Sequence, residues 1–308
     1  MEKVIVVIGP TSVGKTKMGV ALAKKFNGEV ISGDSMQIYK QMDIGTAKVT
    51  EEEKEGIIHH CVDILNPDET YSVHDFQQTV RKKITEITQR GHVPIIVGGT
   101  GLYIKAALYD YQFDEMENDH HAINEKYKDY TNEQLHDHLK SIDEESAKIL
   151  HFNNRRRVLR AIEIYETTGK RKSEMLEEQE HICLYDAYFV GLTLPRDALY
   201  ERINKRVDVM MENGLKEEME RLYSQGLTRN HQSMKAIGYK EWFDYYDHQI
   251  DLNDVLELIK KHSRQYAKRQ YTWFKNQFDV HWYDVNLENF EQTIEQVTDD
   301  IEKIRVTK

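Results

Sequence analysis

Val4-Ile5-Val6-Val7-Ile8 carries no polar position, the pattern of a strand buried on both faces of a parallel sheet. Met18, Ala21, Leu22 and Phe26 then recur at helical spacing. Glu29 to Gly33 reads as a second short strand ending in Asp34-Ser35-Met36-Gln37-Ile38-Tyr39, and Asp43 to Lys48 reads as a loop. His59 to Asp63 is another short extended segment; adjacent histidines on a strand point to opposite sides, which argues against a shared metal. Residues 73–90 have helical periodicity, with Ser72 as N-cap and Gly91 as stop. Val93 to Val97 is a third parallel-type strand, and it ends in Gly98-Gly99-Thr100-Gly101 before a helix from Leu102. Residues 110–185 are helical throughout and poor in β-branched side chains. Asp186 to Leu192 returns to the sheet, and the pattern is helical again from Arg196, with a long helix over 253–274. The segment 280–285 and the acidic helix from Leu287 carry no legible chemistry. The expected fold class is α/β: a P-loop NTPase-like parallel sheet with flanking helices. Its core spans 1–113 and 186–308, with a helical insertion over 114–185 lying above the crevice.

The stretch Gly9-Pro10-Thr11-Ser12-Val13-Gly14-Lys15-Thr16, between the first strand and the first helix, is a phosphate-cradling loop in its full context. Its glycines let successive N–H groups point inward at a helix start. Lys15 adds a mobile positive charge, and Thr16 offers a hydroxyl to a metal ion. The pattern marks a nucleotide-binding or ATP-binding type of loop, yet a diphosphate, ATP or GTP all fit it. Ligands of open α/β sheets sit at the carboxyl ends of the strands, so Asp34 and Thr100 belong to the same crevice edge.

Among 308 residues, 39% are hydrophobic and 31% charged, and no apolar run reaches the roughly 20 residues that span a bilayer. The first strand begins almost at once and leaves no room for a signal peptide. Cys61 and Cys183 stand apart without His or Cys neighbours, so the reduced cytoplasm is the expected compartment. The net charge of −11 argues against a polyanion partner, but its distribution reverses that. Residues 110–147 hold twelve acidic and three basic side chains. Residues 153–172 hold seven basic ones (Arg155, Arg156, Arg157, Arg160, Lys170, Arg171, Lys172) against Glu163 and Glu166. Residues 260–275 hold six basic and no acidic side chains. Clustered charge of this kind marks a directed polyanion site. Arg202 and Arg206 fall on one helix face.

Taken in order, these elements resemble one family, the bacterial tRNA dimethylallyltransferases (tRNA isopentenyltransferases). The matching stretches are GPTSVGKT (9–16), DSMQIY (34–39), DIGTAK (43–48), HH..VD (59–63) and PIIVGGTGLYI (94–104). They continue with RRVLRAIEIY (156–165), TGK (168–170), LPR (194–196), RINKRVDVM (202–210), AIGYKE (236–241) and KRQYTWFK (268–275). The resemblance implies transfer of a dimethylallyl group from its diphosphate to N6 of adenosine 37 in tRNAs that read codons beginning with U. It implies Mg²⁺ as cofactor and the anticodon stem-loop and dimethylallyl diphosphate as partners, with no membrane and a monomeric state. Asp34, Thr100, Lys15 and Arg206 become the catalytic group, Asp34 as base at the amine, Thr100 beside the base and Arg206 at the diphosphate. Ser35, Met36 and Gln37 line the channel of a flipped nucleotide. Arg156, Arg157 and Arg160 grip the RNA, as do Lys235, Gly238, Tyr239, Lys240, Lys268, Arg269, Gln270, Trp273 and Lys275. Departures from the family pattern are Val49 in place of proline and His120, His121 and Ile123 where an arginine is common.

A P-loop small-molecule kinase is the rival reading. Against it, the best candidate strand ends in Gly98-Gly99 instead of a Walker-B aspartate.

Overall fold

The computed structural model describes residues 1–111, 120–177 and 181–307. The described chain divides into two compact units, 1–109 with 183–308 and 110–182. The expected insertion boundary at Asp114 and the acidic residues 114–119 lie outside the described residues.

The larger unit begins with β1 (Lys3–Ile8), α1 (Lys15–Phe26), β2 (Gly28–Ser32), α2 (Glu51–Lys54) and β3 (His59–His60). It continues with α3 (Val73–Gln89), β4 (Val93–Gly98) and α4 (Gly101–Leu108). The smaller unit supplies α5 (His120–Lys126), α6 (Asn132–Ile142), α7 (Glu144–Ile149), α8 (Arg155–Thr168) and α9 (Lys172–Glu177). The larger unit resumes with β5 (Asp186–Thr193), α10 (Arg196–Glu212), α11 (Leu215–Ser224), α12 (Trp242–Tyr246), α13 (Leu252–Gln277), β6 (His281–Asp284) and α14 (Phe290–Thr307).

Six strands form one sheet in the order β3-β2-β4-β1-β5-β6, every pair parallel. Side chains alternate across it, as strand geometry requires. Val4, Val6 and Ile8 of β1 enter one core with Ile96, Phe76 and Trp242, while Ile5 and Val7 enter the other with Met18, Leu22 and Ile301. The apolar runs are continuous because both faces are covered.

Helix starts follow local chemistry. Ser72 accepts from the Asp75 N–H while Asp75 returns the bond, a capping box that begins α3. The histidine pair serves the sheet edge: His60 Nε2 meets the buried Glu29 carboxylate at 2.6 Å, and Arg90 meets the same group at 2.8 Å. No group of three or more His, Cys, Asp or Glu is placed to hold a metal among the described residues. The segment around 280–285, without legible chemistry in the sequence, contains the sixth strand, and α14 behind it sets Phe290 beneath the phosphate loop.

The smaller unit packs its own core from Leu135, Leu139, Val158, Leu159, Ala161 and Ile162. Asp143 is buried within it and caps two helices, accepting from the N–H groups of Ser146 and Ser173 at 3.0 and 3.1 Å. No described helix is long and apolar enough to cross a membrane.

Candidate active site

β1, β4 and β2 are adjacent, so the loops at their carboxyl ends share one edge of the sheet. The first of these is the phosphate loop. Gly14 has φ 104°, and a Cβ there would come within 2.6 Å of the Phe290 ring. The left-handed backbone and the close approach together call for glycine. Lys15 opens α1 and donates to the Pro10 carbonyl at 2.8 Å. Burial pulls its pKa down to about 7, Arg206 adds to the fall, and Asp34 opposes it. Burial also lowers the pKa of Arg206, which reaches the Thr11 and Ser12 hydroxyls at 3.4 and 3.5 Å. Arg202 donates to the Ser12 carbonyl at 2.9 Å. Partly desolvated cations around open N–H groups make an anion site. They line a cavity of about 530 Å³ with Thr16, Lys205, Asp34 and Gln37.

Asp34 leaves β2 half-buried, and its Oδ1 accepts from the Met36 N–H at 2.8 Å. Its other oxygen has no hydrogen-bond partner among the described residues. The Thr100 hydroxyl caps no helix; it accepts from the Ser35 N–H at 3.2 Å and lies 3.3 Å from the Ser35 hydroxyl. The β2 and β4 corners are thereby joined. Gln37 meets the Ser32 hydroxyl at 3.1 Å and donates to the Ala47 carbonyl at 3.3 Å, which ties the 43–48 loop to the same edge.

A second cavity of about 340 Å³ borders Asp34 and Arg206 from another side. Its apolar part includes Met36, Ile203, Val207, Met210 and Ile237, and its polar part includes Ser35, Lys235, Lys240, Tyr266 and Arg269. Lys235 and Lys240 are exposed at its rim. Burial raises the Tyr266 phenol to about 12, with Asp34 adding to it, and the hydroxyl lies 3.3 Å from the Gly99 carbonyl.

Several residues expected to meet RNA have other tasks. Gln270 is buried; its side chain accepts from the Thr11 N–H and donates to the Gly99 carbonyl, both at 2.9 Å. It joins the phosphate loop to the β4 corner. Tyr239 is wholly buried with its hydroxyl on Glu218, so it cannot stack on a base, whereas Gly238 beside it borders the second cavity. Trp273 is half-buried, and a Cβ on Gly101 would come within 2.1 Å of its ring, so it packs under α4. Lys268, Arg269 and Lys275 remain exposed on α13.

In the smaller unit, Arg156 and Arg157 are exposed at the start of α8. Arg160 differs: it is half-buried and pairs with the buried Glu163 at 2.7 Å. Arg155 donates to the carbonyls of Tyr127 and Tyr130 at 2.6 Å and holds the fold. Burial lowers the Lys172 pKa, and Arg157 and Arg160 add to that.

A family model described as IPP transferase matches residues 37–277. Curated tRNA dimethylallyltransferases of Bacillus cereus (strain AH187) and Bacillus anthracis are 55% and 54% identical over 287 residues. The alignments cover 92% of this chain and 90% and 91% of those proteins. The chain belongs to the IPP transferase family. Its fold agrees with members of that family. A tRNA delta(2)-isopentenylpyrophosphate transferase from Staphylococcus epidermidis superposes with a TM-score of 0.74 at 47% identity, covering 98% of this chain and 99% of the other. A eukaryotic dimethylallyltransferase described as acting on tRNA superposes with a TM-score of 0.86 at 33% identity, covering all of this chain and 80% of that one. Membership in the IPP transferase family disfavours the kinase reading.

Proposed function

We propose that this protein moves a dimethylallyl group from dimethylallyl diphosphate to N6 of adenosine 37 in the anticodon loop of tRNAs that read codons beginning with U. The observation that carries the reading is the meeting of two cavities at Asp34 and Arg206, one lined by cations and the other partly apolar. The diphosphate occupies the cationic cavity against the loop N–H groups, with Lys15, Arg202 and Arg206 meeting its charge. The adenine enters from the Ser35–Met36 side, flipped out of its stack.

Adenine's amine is a weak nucleophile because its lone pair is delocalised into the ring. Asp34 Oδ2 accepts an amine proton as nitrogen attacks C1 of the prenyl group, and the C1–O bond breaks to release pyrophosphate. Thr100, fixed against Ser35, keeps the base edge beside Asp34. Hard oxygen donors suit Mg²⁺, which commonly takes one or two protein ligands and completes its shell with phosphate oxygens and water. The Thr16 hydroxyl, lining the cationic cavity, is a donor this chain offers, and a bound Mg²⁺ would help neutralise the leaving group.

Exposed cations on α8 and α13 are suited to the phosphates of the anticodon stem-loop, each unit supplying its own. A monomeric state belongs to the same reading, and a tRNA substrate fits the cytoplasm. Charge reversal of Arg156 and Arg157 weakens tRNA binding and flattens its salt dependence, by roughly 0.9 log unit per log salt for each phosphate that is no longer neutralised. Arg160 is left intact because its partner Glu163 is buried. A salt series of tRNA affinity checks this, and equal slopes for wild type and variant would remove α8 from the interface. The function itself is tested by incubating unmodified tRNA with dimethylallyl diphosphate and analysing its nucleosides. Dimethylallyladenosine is expected, and unaltered adenosine with active donor would overturn the reading.

A further inference from the structure

Glu218 lies on α11, 2% exposed, in a chain whose other acids on that helix include the exposed Glu220. A buried carboxylate is costly unless its oxygens are satisfied. Among the described residues no cation does so. Oε2 accepts from the N–H groups of Asp43 and Ile44, both at 2.9 Å, and Oε1 accepts from the Gly45 N–H at 3.0 Å. The fourth donor is the Tyr239 hydroxyl at 2.6 Å. Burial, reinforced by Glu218, raises the Tyr239 pKa well above that of a free phenol, so the hydroxyl stays a donor.

The joined segments have a purpose in common. Gly45, Thr46 and Ala47 on one side and residues 235–238 with Lys240 on the other are walls of the 340 Å³ cavity. Between them the fit is close: a Cβ on Gly45 would come within 2.5 Å of the Tyr239 ring, and one on Gly238 within 3.2 Å of the Gly45 carbonyl oxygen. Gly238 is held from behind as well, its N–H donating to Glu241 and its carbonyl accepting from the Trp242 indole, both at 2.9 Å. Glu218 lines neither cavity and touches no group assigned to the donor.

We infer that Glu218 is a positioning residue for the acceptor nucleotide: through the 43–45 N–H groups and the Tyr239 hydroxyl it sets the separation of the two cavity walls. The inference rests on the transferase reading for the occupant of that cavity. The cationic cavity draws its charges from the P-loop and α10 and meets the tied loop only at Thr46 and Ala47, so donor affinity should move far less than tRNA affinity and serves as the comparison.

Tyr239→Phe keeps the ring against Gly45 and removes only the hydroxyl; Glu218→Gln keeps the volume and turns one acceptor into a donor. The measured quantities are tRNA affinity, dimethylallyl diphosphate affinity and thermal midpoint for each purified variant. Tyr239→Phe should weaken tRNA binding roughly tenfold and Glu218→Gln about 10²-fold, the scale of a displaced site wall. Donor affinity should stay within about twofold for both. The double variant should be no worse than Glu218→Gln alone, because the two groups act as one unit. Glu220→Gln, exposed on the same helix, should match wild type. Unchanged tRNA affinity in Tyr239→Phe, or equal loss of donor and tRNA affinity, would overturn the inference and leave Glu218 a packing residue. Affinities are read without turnover, so a wild type that binds both ligands but transfers nothing would count against the transferase reading and leave the positioning result standing.

Discussion

Asp34→Asn lowers the single-turnover rate of prenyl transfer by about 10²-fold or more, the usual scale for a lost general base. Its affinities for tRNA and donor hold. The asparagine carbonyl can still accept from the Met36 N–H, which Oδ1 does at 2.8 Å, so the loop is kept. What changes is the second position, where an amide NH₂ replaces the oxygen free to take the amine proton. Rapid-quench measurement with saturating tRNA and donor separates the step from binding. An unchanged rate would remove Asp34 as the base. A loss of donor affinity with the chemical step intact would make it a support of the phosphate loop.

Lys15→Ala should cost about 10² to 10³ in kcat/KM for the donor, because a cation facing the leaving oxygen is lost. The wild-type protein should also show a proton linkage that the variant lacks. In the free protein, burial and the Arg206 charge hold the Lys15 pKa at about 7. A bound diphosphate favours the charged ammonium and raises that value. The pKa is thus higher in the complex, so the full affinity is present below the free value and is lost as pH rises through about 7 toward the bound value. Donor affinity should fall between roughly pH 7 and pH 9, by at most about tenfold per unit. Calorimetry in buffers of different ionisation enthalpy should record proton uptake in that range, and Lys15→Ala should abolish it. A flat affinity profile in wild type would contradict the assignment of Lys15 to the diphosphate.

The sheet and the phosphate loop were legible because their requirements are local. β1 needed only an unbroken apolar run, and Gly9 and Gly14 mark a turn whose backbone other residues resist. Asp34 and Thr100 could be paired from the rule that loops at strand carboxyl ends converge, and the order β2-β4-β1 does bring them to one edge. β6 was not legible because four residues, His281 to Asp284, give too short a period to separate strand from loop.

Side-chain roles within the basic, aromatic run of α13 were less legible, since composition cannot say which face a residue occupies. A signal did exist. Ala267, Gln270 and Phe274 follow helical spacing from the buried Val255 and Ile259, which places Gln270 inward with them. Arg160 likewise stands three residues before Glu163, a spacing that favours pairing. Glu218 offered no such signal. Its donors lie on residues 43–45 and 239, far away in sequence, and only tertiary structure brings them together.

The most direct test of the central claim, that this P-loop cradles a leaving diphosphate and not a nucleotide donor, is a double-label transfer. Unmodified tRNA is incubated with wild-type protein, dimethylallyl diphosphate labelled in its prenyl carbons and ATP labelled in its γ-phosphate, and both labels are followed. The expected result is prenyl label on adenosine 37 with release of unlabelled pyrophosphate, at a rate that added ATP does not raise. Movement of the γ-phosphate label to any acceptor, with the prenyl label left on its diphosphate, would contradict it.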